Sequence, residues 1–308
     1  MSVDSAEILV EGPWHHRLVA AHGARFHVAE AGTGPLVVLL HGFPQFWWAW
    51  RAQLPALAAA GYRVAAMDLR GYGASDKPPR GYDTATLAAD VAGVIRALGE
   101  SQAVIIGHDW GAWVAWAMPS LQPRVTRGIG VLSMGHPLTM RTELARGRQR
   151  HTLARLLGYQ TPWLPERRLT RGDGVADALT AWWGEGRPDP AAVIRYQRAM
   201  QVPFVAQKSM EYFRTALRST GRREARRLTS ALECPIAVPV LQLHGALDPW
   251  VLPETAALSR HWVQGPLHAR MLPRAGHYLP EECAQPVTDA LLDWLAVTLR
   301  TAPRAVST

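Results

Sequence analysis

The sequence predicts an α/β protein in which a mostly parallel central sheet is flanked by helices and interrupted by an all-helical lid. Strand-like apolar runs alternate with helical periods in the first 135 residues. The alternation stops over residues 136–228 and resumes to the end of the chain. Parallel strands buried on both faces read as such continuous apolar runs, because crossover helices cover the sheet. With 308 residues and 48% hydrophobic composition, the chain can bury one large core and still carry an insert. The expected organisation is therefore a core at 1–135, a helical lid at 136–228 and the rest of the core at 229–308.

Each element follows from local pattern. Residues 17–28 alternate around His22-Gly23, which predicts a hairpin, and residues 35–40 form a buried strand. A helix over 54–60 is stopped by Gly61, and residues 62–68 are the next strand. A helix over 84–98 is opened by Thr84 or Thr86 and closed by Gly99. Strands are expected again at 104–107, 128–134, 239–244 and 269–272, with a final helix over 286–300. In the insert, Pro162, Pro165 and Pro188 punctuate helical pieces.

The stretch Val104-Ile105-Ile106-Gly107-His108-Asp109-Trp110-Gly111 carries the chemistry. A β-branched run ends in Gly-x-Asp-x-Gly and passes into the helical pattern 112–118, so Asp109 sits on a strained strand-to-helix turn where a nucleophile is presented. Gly107 and Gly111 leave room for the neighbouring backbone, and the following helix N-terminus favours negative charge. Partners follow in the expected order at later strand ends: Asp248 in His244-Gly245-Ala246-Leu247-Asp248, then His277 in Gly276-His277-Tyr278. An ionised Asp109 needs no base to attack carbon. His277 is then free to deprotonate a water that cleaves the resulting ester, with Asp248 holding its tautomer. The backbone N–H groups of Phe43 and Trp110 are expected to form the oxyanion hole, and Pro44 is expected in cis. His41, His108 and His244 read as structural, Arg70 as a tie between loops, and Trp47, Trp48 and Trp50 as wall and core.

Taken together, these motifs make the chain resemble the epoxide-hydrolase branch of the α/β-hydrolase superfamily, in particular actinobacterial epoxide-hydrolase-like proteins. The resemblance runs over nearly the full length: His41-Gly42-Phe43-Pro44, Phe46-Trp47-Trp48-Ala49-Trp50-Arg51, Asp68-Leu69-Arg70-Gly71-Tyr72-Gly73-Ala74-Ser75, Gly107-His108-Asp109-Trp110-Gly111-Ala112, Leu247-Asp248-Pro249 and Gly276-His277-Tyr278. It implies opening of an oxirane by Asp109 to a vicinal diol, with lid tyrosines donating a proton to the epoxide oxygen. The lid departs from the family pattern. Phe213 stands where a Tyr precedes Arg in better-known members, with Tyr212 one residue earlier; Arg155 stands in the first Tyr slot, with Tyr159 four residues on. Tyr212 is the first expected donor and Tyr159 the second, with the indoles of Trp163, Trp182 and Trp183 as substitutes and substrate contacts beside Phe213.

The net charge of +8 comes mostly from Arg, with Lys only at Lys77 and Lys208, and much of it lies in the lid among Glu and Trp. Such interleaving predicts a solvated lid surface rather than a nucleic-acid site, and one able to draw acidic or phenolate-bearing substrates. Two distant cysteines, Cys234 and Cys283, predict free thiols rather than a disulfide or metal site. No signal peptide or spanning segment is expected, which points to a cytoplasmic enzyme without cofactor, metal or membrane partner; a homodimer is left open. The expected substrates are a bulky or aromatic epoxide and water. A haloalkane or haloacid dehalogenase using the same Asp109 is the alternative, weakened because Phe43 stands where a second halide donor is common. A non-catalytic hydrophobic-ligand binder is the third reading, opposed by the intact Asp109, Asp248 and His277 set.

Overall fold

In the computed structural model, which describes residues 3–218 and 223–300, eight strands form one sheet in the order β1-β2-β4-β3-β5-β6-β7-β8. The strands are β1 (His15–Ala21), β2 (Ala24–Ala31), β3 (Leu36–Leu40), β4 (Arg63–Met67), β5 (Ala103–His108), β6 (Thr126–Leu132), β7 (Val240–Gly245) and β8 (Leu267–Leu272). The predicted hairpin closes with Ala21 opposite Ala24, and His22 and Gly23 take φ of 45° and 75°, the left-handed pair that a two-residue turn requires. β1, β2 and β4 pair antiparallel, and every pairing from β4 through β3 to β8 is parallel. All residues of β3, β5 and β7 are buried, as their unbroken apolar runs require, whereas the edge strand β8 is largely exposed.

Helices α1 (Gln53–Ala59) and α13 (Ala284–Arg300) pack together over β4 and β7, while α2 (Thr84–Ala97) and α3 (Trp110–Leu121) pack together over β1, β5 and β6. The cap of α2 is Asp83, not Thr84 or Thr86: its carboxylate accepts the Thr86 N–H at 3.0 Å. Carboxylates and hydroxyls compete for that role on nearly equal terms, so adjacent Asp and Thr cannot be ranked by type alone.

Between β6 and β7 the chain forms α4 (Pro137–Ala145), α5 (Arg150–Gly158), α6 (Leu164–Arg171), α7 (Gly174–Ala181), α8 (Pro190–Gln201), α9 (Val205–Arg218) and α10 (Arg223–Leu232). Helix α8 begins at Pro190, capped by Asp189, and buries Ala192, Tyr196, Ala199 and Met200, one face at helical spacing. These residues and Val205, Met210 and Phe213 of α9 join the same apolar cluster as the sheet, while Leu138 of α4 and Leu232 of α10 form a small second cluster with Ala117 of α3. Short helices α11 (Pro253–Ala257) and α12 (Leu279–Glu282) follow β7 and β8.

Candidate active site

The carboxyl ends of β3, β5, β7 and β8 converge on Asp109. This residue links β5 to α3 with φ 50° and ψ −116°, a conformation that costs an L-residue of order 1–3 kcal/mol and persists only where packing enforces it. The packing is visible in its flanking glycines. A Cβ on Gly107 would lie 2.1 Å from the Gly111 carbonyl oxygen, and one on Gly111 would lie 2.2 Å from that of Leu40. Gly42 is as tightly constrained, since a Cβ there would come within 2.4 Å of the Asp109 Cβ and 2.7 Å of its Oδ2.

One carboxylate oxygen of Asp109, Oδ2, accepts the Phe43 N–H at 2.8 Å, across a turn whose Phe43–Pro44 peptide is cis. Trp110 begins α3, so its N–H belongs to the first turn, whose donors have no intrahelical acceptor. The other oxygen, Oδ1, lies 3.5 Å from His277 Nε2. On the far side of the imidazole, Nδ1 is 2.8 Å from Asp248 Oδ2, and Asp248 Oδ1 accepts the Trp250 and Val251 N–H groups. Asp248 is thus bound to His277 and caps no helix; the cap position of α11 is Leu252.

Electrostatics follow from this arrangement. Burial alone would push the His277 pKa down, but the charge of Asp248 and the hydrogen bonds and charge of Asp109 and Asp248 outweigh it and hold the imidazole at about 10. Burial would raise the Asp248 carboxyl; the His277 charge and hydrogen bond reverse that and bring it below the ordinary value. The neighbouring histidines behave differently. His108, bonded to the His277 carbonyl, is pushed down to about 4 by burial and then by the His277 charge. His41 accepts the Leu69 N–H and His244 meets the Val251 carbonyl, and burial depresses both. All three hydrogen-bond backbone groups of neighbouring loops, whereas Arg70 ties its loop to helix α2, not to another loop, through a two-pronged contact with Asp90.

The lid corrects several expectations. The Tyr212 hydroxyl donates to the Arg70 carbonyl at 2.7 Å, and its ring packs on Tyr72 and Tyr82. Tyr212, the first expected donor, is committed to the core. Phe213, the next residue round α9, faces the site instead, within 5.1 Å of the Phe43 ring and 4.7 Å of the Tyr159 ring. Tyr159 lines a cavity of about 390 Å³ with Phe43 and Trp182. Its hydroxyl has no hydrogen-bond partner among the described residues, and its pKa is raised to about 12, first by burial, with Arg155 and Arg168 pulling it down and Asp109 pushing it up. Trp182 stacks on Trp250 at 4.3 Å and meets His277 edge-on at 5.5 Å, while its indole N–H is buried without a partner. Trp163 is 83% exposed, carried outward by a φ of 63°, and Trp183 packs on Tyr278; neither lines the cavity.

Four residues contribute in roles not foreseen from sequence. Trp250 forms the wall behind Trp182, and its closeness to Asp248 in the chain was the available signal. Glu282 accepts the Gly184, Gly276 and Tyr278 N–H groups, fastening the His277 loop to the lid. Arg155 and Arg168 line the cavity from α5 and α6. A larger cavity of about 860 Å³ lies between α2, α3, α9 and α10, lined by Tyr82, Trp110, Trp113 and Tyr212. It shares no lining residue with the smaller cavity, which alone is walled by Phe43, the residue whose N–H holds Asp109. Among the described residues no helix is long and apolar enough to cross a membrane, and no group of His, Cys, Asp and Glu is arranged to hold a metal.

Comparison with known proteins bears on the whole architecture. The family model for the alpha/beta hydrolase fold matches residues 35–282. The AB hydrolase superfamily protein YfhM of Bacillus subtilis is 32% identical, over 91% of this chain and 97% of its own. Epoxide hydrolase A of Mycobacterium tuberculosis is also 32% identical, over 91% and 96%. Among solved structures, an epoxide hydrolase from an endophytic Streptomyces superposes with a TM-score of 0.82 at 31% identity, covering 95% of this chain and 98% of that one. The strand order, the strained Asp109 turn and these matches agree: the chain belongs to the alpha/beta hydrolase fold family.

Proposed function

We propose that the protein is an epoxide hydrolase that opens an oxirane to a vicinal diol through an ester on Asp109. The observation that carries this reading is the Asp109 carboxylate itself, held on a strained turn by the Phe43 N–H and faced by a His277 that is paired with Asp248. The names of the relatives support the same reaction class.

In the first step Asp109 attacks an oxirane carbon, the C–O bond breaks, and the alkoxide takes the Tyr159 proton. The ester that forms carries no charge, so two of the influences that held the His277 pKa high disappear. His277 then gives up its proton, which restores Tyr159, and becomes the base for the second step. It deprotonates a water that attacks the ester carbonyl, while the Phe43 and Trp110 N–H groups receive the oxyanion. Collapse releases the diol and the carboxylate and leaves His277 protonated again, so the proton count closes. An apolar or aromatic substituent suits the Phe43, Tyr159 and Trp182 wall. The free thiols Cys234 and Cys283 suit the cytoplasm.

Single turnover of styrene oxide in heavy-oxygen water tests the route. The oxygen added to the first diol should come unlabelled from Asp109, with label appearing on the protein. Label in that first diol would mean direct attack by water and would overturn the covalent route. The dehalogenase alternative is not favoured, since Phe43 offers only its backbone N–H at the site. Halide release from a panel of chlorinated alkanes and acids checks it.

A further inference from the structure

Arg155 and Arg168 reach the cavity from different helices, and neither has a carboxylate within ion-pair distance among the described residues. Some lid arginines do, Arg146 and Arg148 pairing with Glu143 and Arg214 with Glu166 and Glu211, but of the unpaired ones only Arg155 and Arg168 line this cavity. Asp177 is the one carboxylate in the lining, which leaves the wall with an excess of positive charge, while most of the remaining lining is apolar. The Arg155 guanidinium lies over the Trp182 ring, 5.7 Å from its centroid, and Trp182 touches His277. The Tyr159 hydroxyl is influenced by burial first and then by Arg155, Asp109 and Arg168, so both guanidiniums and the nucleophile act on the same group. Apart from the Arg155 contact with Trp182, nothing among the described residues neutralises these two guanidiniums, and unneutralised cations in a pocket wall raise the local concentration of anions.

We infer that the pocket selects an oxirane bearing a carboxylate on an apolar or aromatic body, with Arg155 and Arg168 receiving the carboxylate while Asp109 faces the ring. This rests on the proposed epoxide opening. Arginine forks match carboxylates in two-pronged geometry. Both guanidiniums are exposed, however, and exposed pairs are individually weak, so their joint effect should be about tenfold.

The test compares trans-3-phenylglycidate with its primary amide as substrates, and the corresponding diol acid and diol amide as non-reacting ligands in calorimetry. The expected result is a KM about tenfold lower for the acid, a matching preference in diol binding, and erosion of both at high salt. Arg155→Gln and Arg168→Gln should each reduce the preference, Arg168→Glu should reverse it, and Arg168→Lys should keep most of it. Equal handling of acid and amide by the wild type, or a preference that survives both glutamine substitutions, would overturn the inference. The ligand arm separates it from the catalytic reading. Arginine-dependent binding of the diol acid without turnover of any epoxide would support the pocket assignment and sink the hydrolase, whereas turnover of epoxides without discrimination would do the reverse.

Discussion

Replacing His277 with Gln should convert a turnover enzyme into one that stops at its own intermediate. The carboxylate of Asp109 keeps its Phe43 N–H contact and its elbow geometry in that variant, so attack on the oxirane proceeds. Nothing replaces the lost base. His277 Nε2 is the imidazole nitrogen 3.5 Å from Asp109, whereas His108 is bonded to the His277 carbonyl and His41 to Leu69 and Gly42. General-base assistance is worth about 10²–10⁴-fold, or roughly 3–5 kcal/mol of barrier, so hydrolysis of the ester should slow by that factor. If the two steps are of similar rate in the wild type, the esterified fraction should rise from about half to above about 99%. Intact-protein mass after mixing with styrene oxide should therefore increase by one epoxide molecule, and peptide mapping should place it on Asp109. Asp248 keeps the Trp250 and Val251 N–H groups, so the fold survives, and a thermal melt checks this. Diol release near the wild-type rate, or a folded variant that never carries an adduct, would refute the two-step reasoning.

Other expectations follow from the same geometry. Tyr159→Phe should slow ester formation about 10²-fold or more, measured by single-turnover kinetics, because its hydroxyl is the proposed proton source. Tyr212→Phe should leave that step intact and cost about 1 kcal/mol of stability in denaturant titration, since its hydroxyl serves the Arg70 carbonyl. Gly42→Ala should abolish turnover while leaving the apparent affinity for a diol measurable, because the added Cβ meets Asp109 Oδ2 at 2.7 Å. Asp109→Asn should lower the His277 pKa from about 10, read by imidazole NMR titration, because it removes one of the charges that hold the proton. The linked stability has a definite sign. A folded pKa above 6.5 gives stabilisation that is complete below pH 6.5 and lost as pH rises through about 10, so the melting temperature should decline over that window, less steeply in Asp109→Asn.

How much of this was legible beforehand depended on whether backbone or side-chain packing decided the matter. The Asp109 turn was readable because the approach of Leu40, Gly107 and Gly111 leaves no room for a Cβ, and glycine is then the only solution the sequence can show. Asp248 and His277 were readable because parallel strands end at one edge of the sheet, so chain order translates into proximity. The lid obeyed no such rule. Tyr212 and Phe213 are neighbours on α9, about 100° apart round the helix, and the rotation of that helix against Phe43 decides which one enters the site. That rotation is set by contacts with Tyr72, Tyr82 and Trp110, far away in sequence. Trp163 failed for a local reason instead: a positive φ at the start of α6 turns the indole outward, and nothing in the residue type announces it.

The lid and His277 are held as one unit, and this constrains how a substrate would arrive. The His277 N–H donates to the Trp182 carbonyl at 2.8 Å, and Glu282 joins Gly184 of the lid to Gly276 and Tyr278. A second clasp lies under α8, where Glu281 is held by Arg51 at 2.7 Å through both nitrogens and accepts a hydrogen bond from the Tyr196 hydroxyl. Lifting the whole lid would break both clasps, expose a buried carboxylate and remove the Trp182 carbonyl that holds the His277 backbone. Asp109 and His277 do not line the 390 Å³ cavity; Phe43, Tyr159 and Trp182 do, and of these Phe43 contacts Asp109 and Trp182 contacts His277. The smaller movement is a parting of those rings beneath α5 and α6, which are joined to the His277 loop by neither clasp. A substrate entering from the α5 and α6 side would pass Arg155 and Arg168 before reaching Asp109, so a path that leaves both clasps closed would also expose it to the charge selection inferred above.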